Sequence, residues 1–395
     1  MIRVGFFLSS CFPDEYPGGK NYMKNLFYSL NLVENNFFEC ILFIGNKTSL
    51  TYEKDFVKYA KIVRSSLFDR WSLYWFFYKL IFKFFNSHIV LYPLIKKYNI
   101  AALSHSDIYG KNLPFKTINW LPDIQHVHLP HLLTEEGFDF ENKRFKKRLK
   151  LSDLVIFSSY TTQKDGLCLL PNCKKNNVVI RPAYNVIEYN FSDFQKNKIE
   201  KLFNFSGKYF YLPNQFWVHK NHKIVFEAVK KLRGDGLEPL VICTGLMEGA
   251  DAPNRNFDKY ISELRNYYKE NNLSNNIKLL GLVDYKYVQY FMRNCISAIN
   301  PSFFEGWSST VEESKSIGKK IILSDLEIHR EQDPPGAIFF DPHNAEELAK
   351  IMAEIWKTKD GGPDLEKEKD AKVKLEGRIK KFGEEYQDSI ENLFN

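Results

Sequence analysis

The stretch that decides the fold reads Ser302-Phe303-Phe304-Glu305-Gly306-Trp307-Ser308-Ser309-Thr310-Val311-Glu312-Glu313. Apolar Ile296, Ala298 and Ile299 precede it, and the buried-strand run 321–323 follows after Gly318, a natural helix stop. The pattern predicts a strand, a loop and a helix of an α/β unit. The loop then lies at the carboxyl end of a strand, where such folds bind ligands.

The chemistry of this loop suits a nucleotide sugar. Free backbone N–H groups at a helix N-terminus attract phosphate, while the carboxylates of Glu305 and Glu313 can accept hydrogen bonds from sugar hydroxyls. The alternative is a helix start without a ligand, because Ser309 and Glu312 have the spacing of a capping box. Neither Glu305 nor Glu313 is needed for that cap.

The two glutamates resemble the motif of the retaining glycosyltransferases of family 4 (glycosyl transferases group 1), in which seven residues separate two Glu. The similarity continues through residues 319–325 and 329–332. It implies an α/β protein with the GT-B fold: two Rossmann-like domains whose parallel sheets face a central cleft. It also implies that Glu305 lies beside the donor sugar, that Glu313 binds the ribose hydroxyls, and that the backbone between them holds the diphosphate, namely Gly306, Trp307, Ser308, Ser309 and Thr310.

A second patch, residues 211–222, resembles the diphosphate site of the same family. Lys220 is at a loop-to-helix junction, where an ammonium can neutralise phosphate and stabilise a departing nucleoside diphosphate. Asn214 stands where many relatives have Arg or Ser, so His219 or a basic residue of the other domain would supply a second cation. Loops at strand ends are candidates for the base: Thr244-Gly245 and Leu282-Val283. Arg255 is either a donor contact or a surface charge.

The amino terminus predicts a first strand at residues 2–8 and then a helix that opens at Gly18-Gly19. Glycine lets backbone amides approach a ligand closely. In the resembled family this loop contacts the donor diphosphate across the cleft. The phosphate-binding loop of P-loop NTPases and the full dinucleotide fingerprint are both absent from the sequence, which disfavours kinase and NAD-dependent activities.

The histidine-rich segment 120–131 lacks the spacing of known metal-binding motifs, and its prolines favour a loop. Family members carry a similar Pro-Asp-x-x-His segment near the sugar and the acceptor. The resemblance therefore points to His126 first and Asp123 next. His128 and His131 are equally acceptor contacts or surface residues, and the sequence alone does not decide which of the three histidines faces the cleft.

Strand and helix patterns predict a domain at residues 1–183, a nucleotide-sugar-binding domain at 184–370 and a terminal helix at 371–395. The strands expected after the first are 39–45, 100–105, 116–121 and 153–158 in the first domain, and 209–212, 240–245, 277–281, 296–300 and 321–324 in the second. Residues 181–201 read as an irregular linker. In the terminal helix, Phe382, Tyr386, Ile390 and Phe394 are spaced by four and predict a packing face. The resemblance implies that this helix crosses back onto the first domain.

The net charge of +7 reflects only 55 basic against 48 acidic residues, so a nucleic-acid partner is not expected. Residues 67–85 are aromatic with interspersed cations and read either as a buried helix or as a membrane-interface helix. Residues 143–150 add a basic run. Six dispersed cysteines and the lack of a signal peptide favour a cytoplasmic protein, soluble or on the inner face of the membrane.

Together these features predict a retaining hexosyltransferase without a metal or other cofactor. Its donor would be a UDP- or GDP-linked sugar and its acceptor a saccharide or lipid-linked glycan, as in bacterial surface polysaccharide assembly. The alternatives are a GT-B phosphorylase or epimerase, and a degenerate glycan-binding subunit that Asn214 mildly favours. Base, sugar, acceptor and linkage are not specified by the sequence.

Overall fold

The computed structural model of the protein describes residues 2–7, 17–34, 36–48, 53–85, 88–171, 177–185, 192–247 and 255–395. Cys11 and Cys173 lie outside the described residues, as does the side chain of Arg255. The chain forms two compact units. Unit 1 comprises Met1–Tyr184 and Gly377–Asn395, and unit 2 comprises Asn185–Glu376.

Unit 1 contains a parallel sheet with, among the described residues, the strand order β3-β2-β1-β4-β5-β6-β7. Its strands are β1 (Ile2–Phe7), β2 (Phe38–Ile44), β3 (Lys61–Arg64), β4 (Ala102–Ser104), β5 (Lys116–Leu121), β6 (Leu154–Phe157) and β7 (Asn177–Val179). The helices before the carboxyl terminus are α1 (Pro17–Asn31), α2 (Leu73–Phe85), α3 (Tyr92–Lys97), α4 (Gln125–His128), α5 (Glu135–Leu151) and α6 (Tyr160–Leu169). Central strands such as β1 and β2 read as nearly continuous apolar runs because both faces of a parallel sheet are covered.

Unit 2 has a second parallel sheet with the order β10-β9-β8-β11-β12-β13 in its described part. The strands are β8 (Phe210–Leu212), β9 (Val241–Cys243), β10 (Ile277–Leu279), β11 (Ser297–Asn300), β12 (Ile321–Ser324) and β13 (Ile338–Phe340). The helices are α7 (Asp193–Leu202), α8 (His222–Gly234), α9 (Arg255–Glu270), α10 (Tyr285–Asn294), α11 (Ser309–Ser316), α12 (Glu327–Gln332) and α13 (Ala345–Thr358). A last helix, α14 (Leu365–Phe394), begins in unit 2 and continues into unit 1. Two sheets of this kind confirm the predicted α/β class with Rossmann-like domains.

The predicted strands are present, but the described residues contain three further strands that were not predicted: β3, β7 and β13. Each lies at the edge of its sheet and has only three or four residues. An edge strand is covered less completely, so its sequence lacks the uniform apolar run of a central strand.

The expected irregular linker at 181–201 is wrong for its second half, which forms α7. Ser192 caps this helix: its hydroxyl accepts a hydrogen bond from the N–H of Gln195, whose side chain in turn accepts one from the N–H of Ser192. This reciprocal capping box is readable in the sequence as a Ser followed three residues later by Gln.

Helix α14 carries the predicted packing face. Phe382, Tyr386 and Ile390 are buried, whereas Phe394 at the helix end is exposed. The Tyr386 hydroxyl donates to Ser104 Oγ at the end of β4, at 2.7 Å. Residues 377–395 of this helix are thereby part of the core of unit 1.

A close helix contact in unit 1 depends on Gly383. A Cβ atom at this position would lie 2.5 Å from the carbonyl oxygen of Ser29 and 2.7 Å from a methyl group of Val33. Gly377 lies in the same helix, but a Cβ there would meet nothing within 4 Å. The two glycines therefore form a matched pair for testing the packing.

We expect Gly383→Ala to lower the midpoint of thermal unfolding, because one helix must move at a cost of about 1–3 kcal/mol. Gly377→Ala should raise the midpoint, since alanine favours a helix over glycine by about 1 kcal/mol. Scanning calorimetry of both variants checks this. Shifts of the same sign and size would contradict the close contact at Gly383.

Candidate functional site

The centre of the candidate site in unit 2 is the side chain of Asn300, at the carboxyl end of β11. It is fully buried. Its amide group donates to Ser308 Oγ at 2.7 Å, and its oxygen accepts from the Asn214 amide at 3.1 Å. The Ser302 hydroxyl lies 2.7 Å from the same oxygen. Asn300 therefore joins the loop after β8, the loop after β11 and the start of α11.

Lys220 and Glu305 form an ion pair at this centre. Lys220 Nζ lies 2.6 and 2.8 Å from the two carboxylate oxygens of Glu305. The side chains are 18% and 7% exposed, so the pair is only partly accessible. The N–H of Phe303 donates to the carbonyl oxygen of His219 at 2.8 Å, which holds the two loops together beside the pair.

Glu305 is a carboxylate in the folded protein. Burial alone would raise its pKa, but the charge of Lys220, the field of His329 and hydrogen bonds lower the pKa to about 2. The hydroxyl of Ser302, 2.7 Å from Glu305 Oε1, provides one of these bonds. Glu305 thus orients Lys220 and is itself oriented by neighbouring polar groups.

Helix α11 begins one residue earlier than the capping-box spacing indicates. The N-cap is Ser308, not Ser309: the hydroxyl of Ser308 accepts from the N–H of Val311 at 3.4 Å. Gln332 determines this position. Its side-chain oxygen accepts a hydrogen bond from the N–H of Ser308 at 3.1 Å, and its side-chain nitrogen donates to the carbonyl oxygen of Ser308 at 3.0 Å. These contacts fix the backbone at the helix start.

Two backbone donors at the start of α11 have no partner among the described residues. In the described part of the chain, the N–H groups of Ser309 and Thr310 donate to no protein acceptor, as expected for the first turn of a helix. The Thr310 hydroxyl is engaged, because it donates to Asn214 Oδ1 at 3.1 Å. The helix start therefore offers an oriented pair of N–H groups and the positive end of the helix dipole.

Glu312, which the sequence suggested as the capping acid, has another role. It is fully buried and accepts hydrogen bonds from Lys315 and Gln332, each at 3.2 Å. Lys315 also donates to the carbonyl oxygen of Gln332 at 2.7 Å. Glu312 and Lys315 hold Gln332 in place against Ser308.

Glu313 lies on the next part of α11 and has a different electrostatic environment. Burial raises its pKa to about 7, despite a hydrogen bond from the Tyr285 hydroxyl that favours the carboxylate. That bond is 3.2 Å long, and Gln289 donates to the same hydroxyl at 2.7 Å. Unlike Glu305, Glu313 gains little charge compensation, so near neutral pH it exchanges readily between its charged and neutral forms.

The loops expected to hold the base have distinct structural roles. Gly245 has φ +147°, and a Cβ there would lie 2.2 Å from the carbonyl oxygen of Asn214, so only glycine fits. Thr244 is buried with its hydroxyl 2.7 Å from that of Tyr211. Leu282 is exposed and Val283 half-buried. Leu282 and Val283 are thus the accessible predicted residues of these loops, whereas Gly245 is buried.

Neither Asn214 nor His219 supplies the second cation expected beside Lys220. Asn214 is buried, and its side chain is used in bonds to Asn300 and Thr310. Burial and the nearby charge of Lys220 lower the pKa of His219 to about 3, so its ring is neutral at pH 7. Asn214 acts as a bridge between segments, which explains why an uncharged side chain stands there.

The remaining predicted residues lie in unit 1. Gly18 and Gly19 are in the first turn of α1, where Gly18 is exposed. His126 is buried against Phe145 and Phe138, and burial lowers its pKa. Asp123 accepts from the N–H of Gln125 at 3.2 Å. The roles predicted for these four residues stay predictions.

The other two histidines of the segment are exposed, in contrast to His126. His128 lies 2.7 Å from a carboxylate oxygen of Asp165. Among the described residues, no group of three or more His, Cys, Asp or Glu is arranged to hold a metal ion.

Several site residues were missed by sequence reasoning. The sequence predicted Asn300 only as part of a strand and Ser302 only as part of the loop after it. A polar residue at the carboxyl end of an apolar strand nevertheless indicates a ligand site. Tyr285 has no such signal, because its contact with Glu313 spans 28 residues of sequence. Asn221 is also informative: it adopts φ +53° and binds the carbonyl oxygens of Pro301 and Pro342, which fixes the turn after Lys220.

Glu313→Gln should change the pH dependence of stability. The wild-type carboxyl has a pKa of about 7 in the folded protein against an ordinary 4.5. Its burial therefore does not lower the stability of the fold at low pH and lowers it most above pH 7. The free energy of unfolding of the variant should equal that of wild type near pH 4.5 and exceed it by about 3 kcal/mol above pH 7. Denaturant unfolding across this range measures the difference. Exposed Glu376→Gln is the control, and parallel curves for Glu313→Gln and wild type would refute the raised pKa.

Comparison with known protein families gives a match in the second half of the chain. Residues 193–375 match the model of the family described as Glycosyl transferases group 1. This segment contains Lys220, Glu305 and Glu313. No curated protein sequence matches the chain.

Solved structures resemble the chain over nearly its whole length. HepE of Anabaena, crystallised with UDP and glucose, has 12% identity and a TM-score of 0.69, and the match covers 99% of this chain and 100% of that one. A glycosyltransferase from Rickettsia africae has 16% identity and a TM-score of 0.65, with 100% and 99% covered. Sucrose-phosphate synthase from Thermosynechococcus elongatus has 13% identity and a TM-score of 0.66, with 100% and 95% covered. At these identities the likeness concerns the fold, and it confirms the predicted GT-B fold.

Proposed function

We propose that the protein is a retaining glycosyltransferase that moves a hexosyl group from a UDP- or GDP-linked sugar to a saccharide or lipid-linked glycan acceptor, in the assembly of a surface polysaccharide or other glycan. The observation that carries the proposal is the start of α11. There, two N–H groups that have no acceptor within the described part of the chain lie next to the network that orients Lys220. Glu305 and Glu313 flank the same segment. The match of residues 193–375 to the family model supports it.

The diphosphate of the donor would bind at the start of α11. The N–H groups of Ser309 and Thr310 and the helix dipole favour an anion there. Lys220 can contribute as well, since an ammonium has three hydrogens and Glu305 accepts through two oxygens. Negative charge grows on the diphosphate as the sugar departs, and these groups stabilise that charge without rearranging.

Glu305 would act mainly by holding Lys220 beside the diphosphate. Its oxygens already accept from Lys220 and Ser302, so a sugar hydroxyl can share them only from the exposed edge. Removing either partner leaves a buried charge, at a cost of about 3–5 kcal/mol. The two residues therefore have to be tested as a pair.

Glu313 would accept hydrogen bonds from the ribose hydroxyls of the donor. Such bonds favour the charged form of a carboxyl whose pKa is about 7. Leu282 and Val283 are accessible after a strand end and would contact the base, with buried Gly245 shaping the neighbouring loop. Neither their backbone nor their apolar side chains select one base by charge, so UDP and GDP both remain candidates.

The double variant Lys220→Met with Glu305→Gln should fold, because it replaces a buried ion pair by neutral groups of similar size. It should bind UDP or GDP about 10 to 100 times more weakly, since a charge-assisted hydrogen bond of about 1.5–3 kcal/mol is lost. Isothermal titration calorimetry with each nucleoside diphosphate measures this. Lys223→Ala, which removes an exposed lysine three residues away, is the control. Unchanged affinity in the double variant would exclude Lys220 from the diphosphate site.

The reaction should retain the configuration of the transferred sugar and proceed without a divalent metal. With purified protein, the donor that raises the unfolding temperature and a panel of acceptors, proton NMR of the first product gives its anomeric configuration. We expect an α product from an α-linked donor and no loss of rate in EDTA. An inverted product would refute the retaining mechanism, and donor binding without transfer to any acceptor would favour a glycan-binding subunit.

A further inference from the structure

Helix α2 exposes an unusually large apolar surface. Leu73 is 77% exposed and Phe84 69%, while Trp71, just before the helix, is 86% exposed. Phe76, Phe77 and Leu80 are exposed as well. Together these side chains present on the order of 600 Å² of apolar surface, at the upper limit for a contiguous patch on a monomeric protein.

The exposed side chains share one face of the helix. At about 100° per residue, Leu73, Phe76, Phe77, Leu80 and Phe84 project within an arc of about 100°. Tyr78 points the opposite way, and its hydroxyl lies 3.0 Å from His88 Nδ1. Phe82 packs on the same histidine, with ring centroids 4.9 Å apart. Helix α2 is thus attached to unit 1 by one face and leaves the other face uncovered within the described part of the chain.

The charged residues in the chain segment that carries this face have one sign. Residues 70–106 contain Arg70, Lys79, Lys83, Lys96 and Lys97 but no Asp or Glu. Lys79 and Lys83 are exposed and border the apolar arc. A second copy of the chain on this face would bring these lysines together without carboxylates between them. The charge pattern therefore favours an anionic partner with an apolar interior.

A neighbouring helix adds a second cationic face. Four exposed lysines project from one side of α5, together with exposed Phe140; they are Lys143, Lys146, Lys147 and Lys150. The carboxylate of Asp107 pairs with Arg148 of α5, and after burial it is its charge that raises the pKa of Tyr78 of α2, so Asp107 lies near both helices. The apolar face of α2 and the lysine face of α5 therefore belong to adjacent elements of unit 1.

We propose that α2 inserts its outer face into the interface of an anionic lipid bilayer, with the lysines of α2 and α5 contacting lipid phosphates. Aromatic side chains flanked by lysines suit the boundary between headgroups and acyl chains. No described helix is long and apolar enough to cross a bilayer. The proposal does not depend on glycosyl transfer, because it concerns only this surface.

The test is sedimentation of the full chain with sucrose-loaded vesicles of phosphatidylcholine alone or of phosphatidylcholine mixed with anionic phosphatidylglycerol, whose negative surface attracts lysines. Wild type should bind the anionic vesicles more tightly. Phe77→Gln with Phe84→Gln should weaken binding about tenfold for each phenylalanine removed. Lys79→Gln with Lys83→Gln should weaken binding about fivefold for each lysine, only with anionic vesicles.

Val57→Gln with Val373→Gln is the matched control, because it removes two similarly exposed apolar side chains elsewhere. Circular dichroism establishes that each variant is folded. Failure of wild type to bind anionic vesicles would overturn the proposal, as would unchanged binding by the phenylalanine variant. A dimer that this variant dissociates, without any vesicle binding, would assign the face to a second copy of the chain instead.

Discussion

The ion pair between Lys220 and Glu305 is the interaction on which the candidate site depends. Two opposite charges in a mostly buried position are stable only when their remaining hydrogen-bonding capacity is satisfied. Asn300 and Ser302 meet that requirement for Glu305, and Asn300 also binds Ser308. The network that makes the ion pair tolerable therefore also positions the start of α11.

The two glutamates of the motif have opposite electrostatic environments, although they are eight positions apart in one segment. Glu305 lies beside a cation and is held as a carboxylate, whereas Glu313 is buried beside neutral Tyr285 and titrates near pH 7. This difference separates their chemistry. Glu305 holds the Lys220 ammonium in position for the diphosphate, whereas Glu313 becomes charged more readily when hydroxyl groups of a ligand donate to it.

The sequence allowed prediction of what depends on local pattern. Central strands were recognisable from their apolar runs, and the family resemblance indicated Lys220, Glu305 and Glu313. It did not reveal that Lys220 and Glu305 pair with each other, because that contact joins residues 85 positions apart. The helix start was misplaced by one residue for a similar reason, since Gln332 lies 24 residues beyond Ser308. The sequence also did not show which face of α2 is exposed, because apolar residues cover nearly the whole circumference of this helix.

A crystal structure of the protein with a bound nucleoside diphosphate tests the central claim most directly. We predict that phosphate oxygens lie within hydrogen-bond distance of the N–H groups of Ser309 and Thr310 and of Lys220 Nζ, with Glu305 still contacting that ammonium. Ribose hydroxyls should contact the carboxylate of Glu313. A nucleotide bound elsewhere, with the first turn of α11 and Lys220 free of phosphate, would contradict the account.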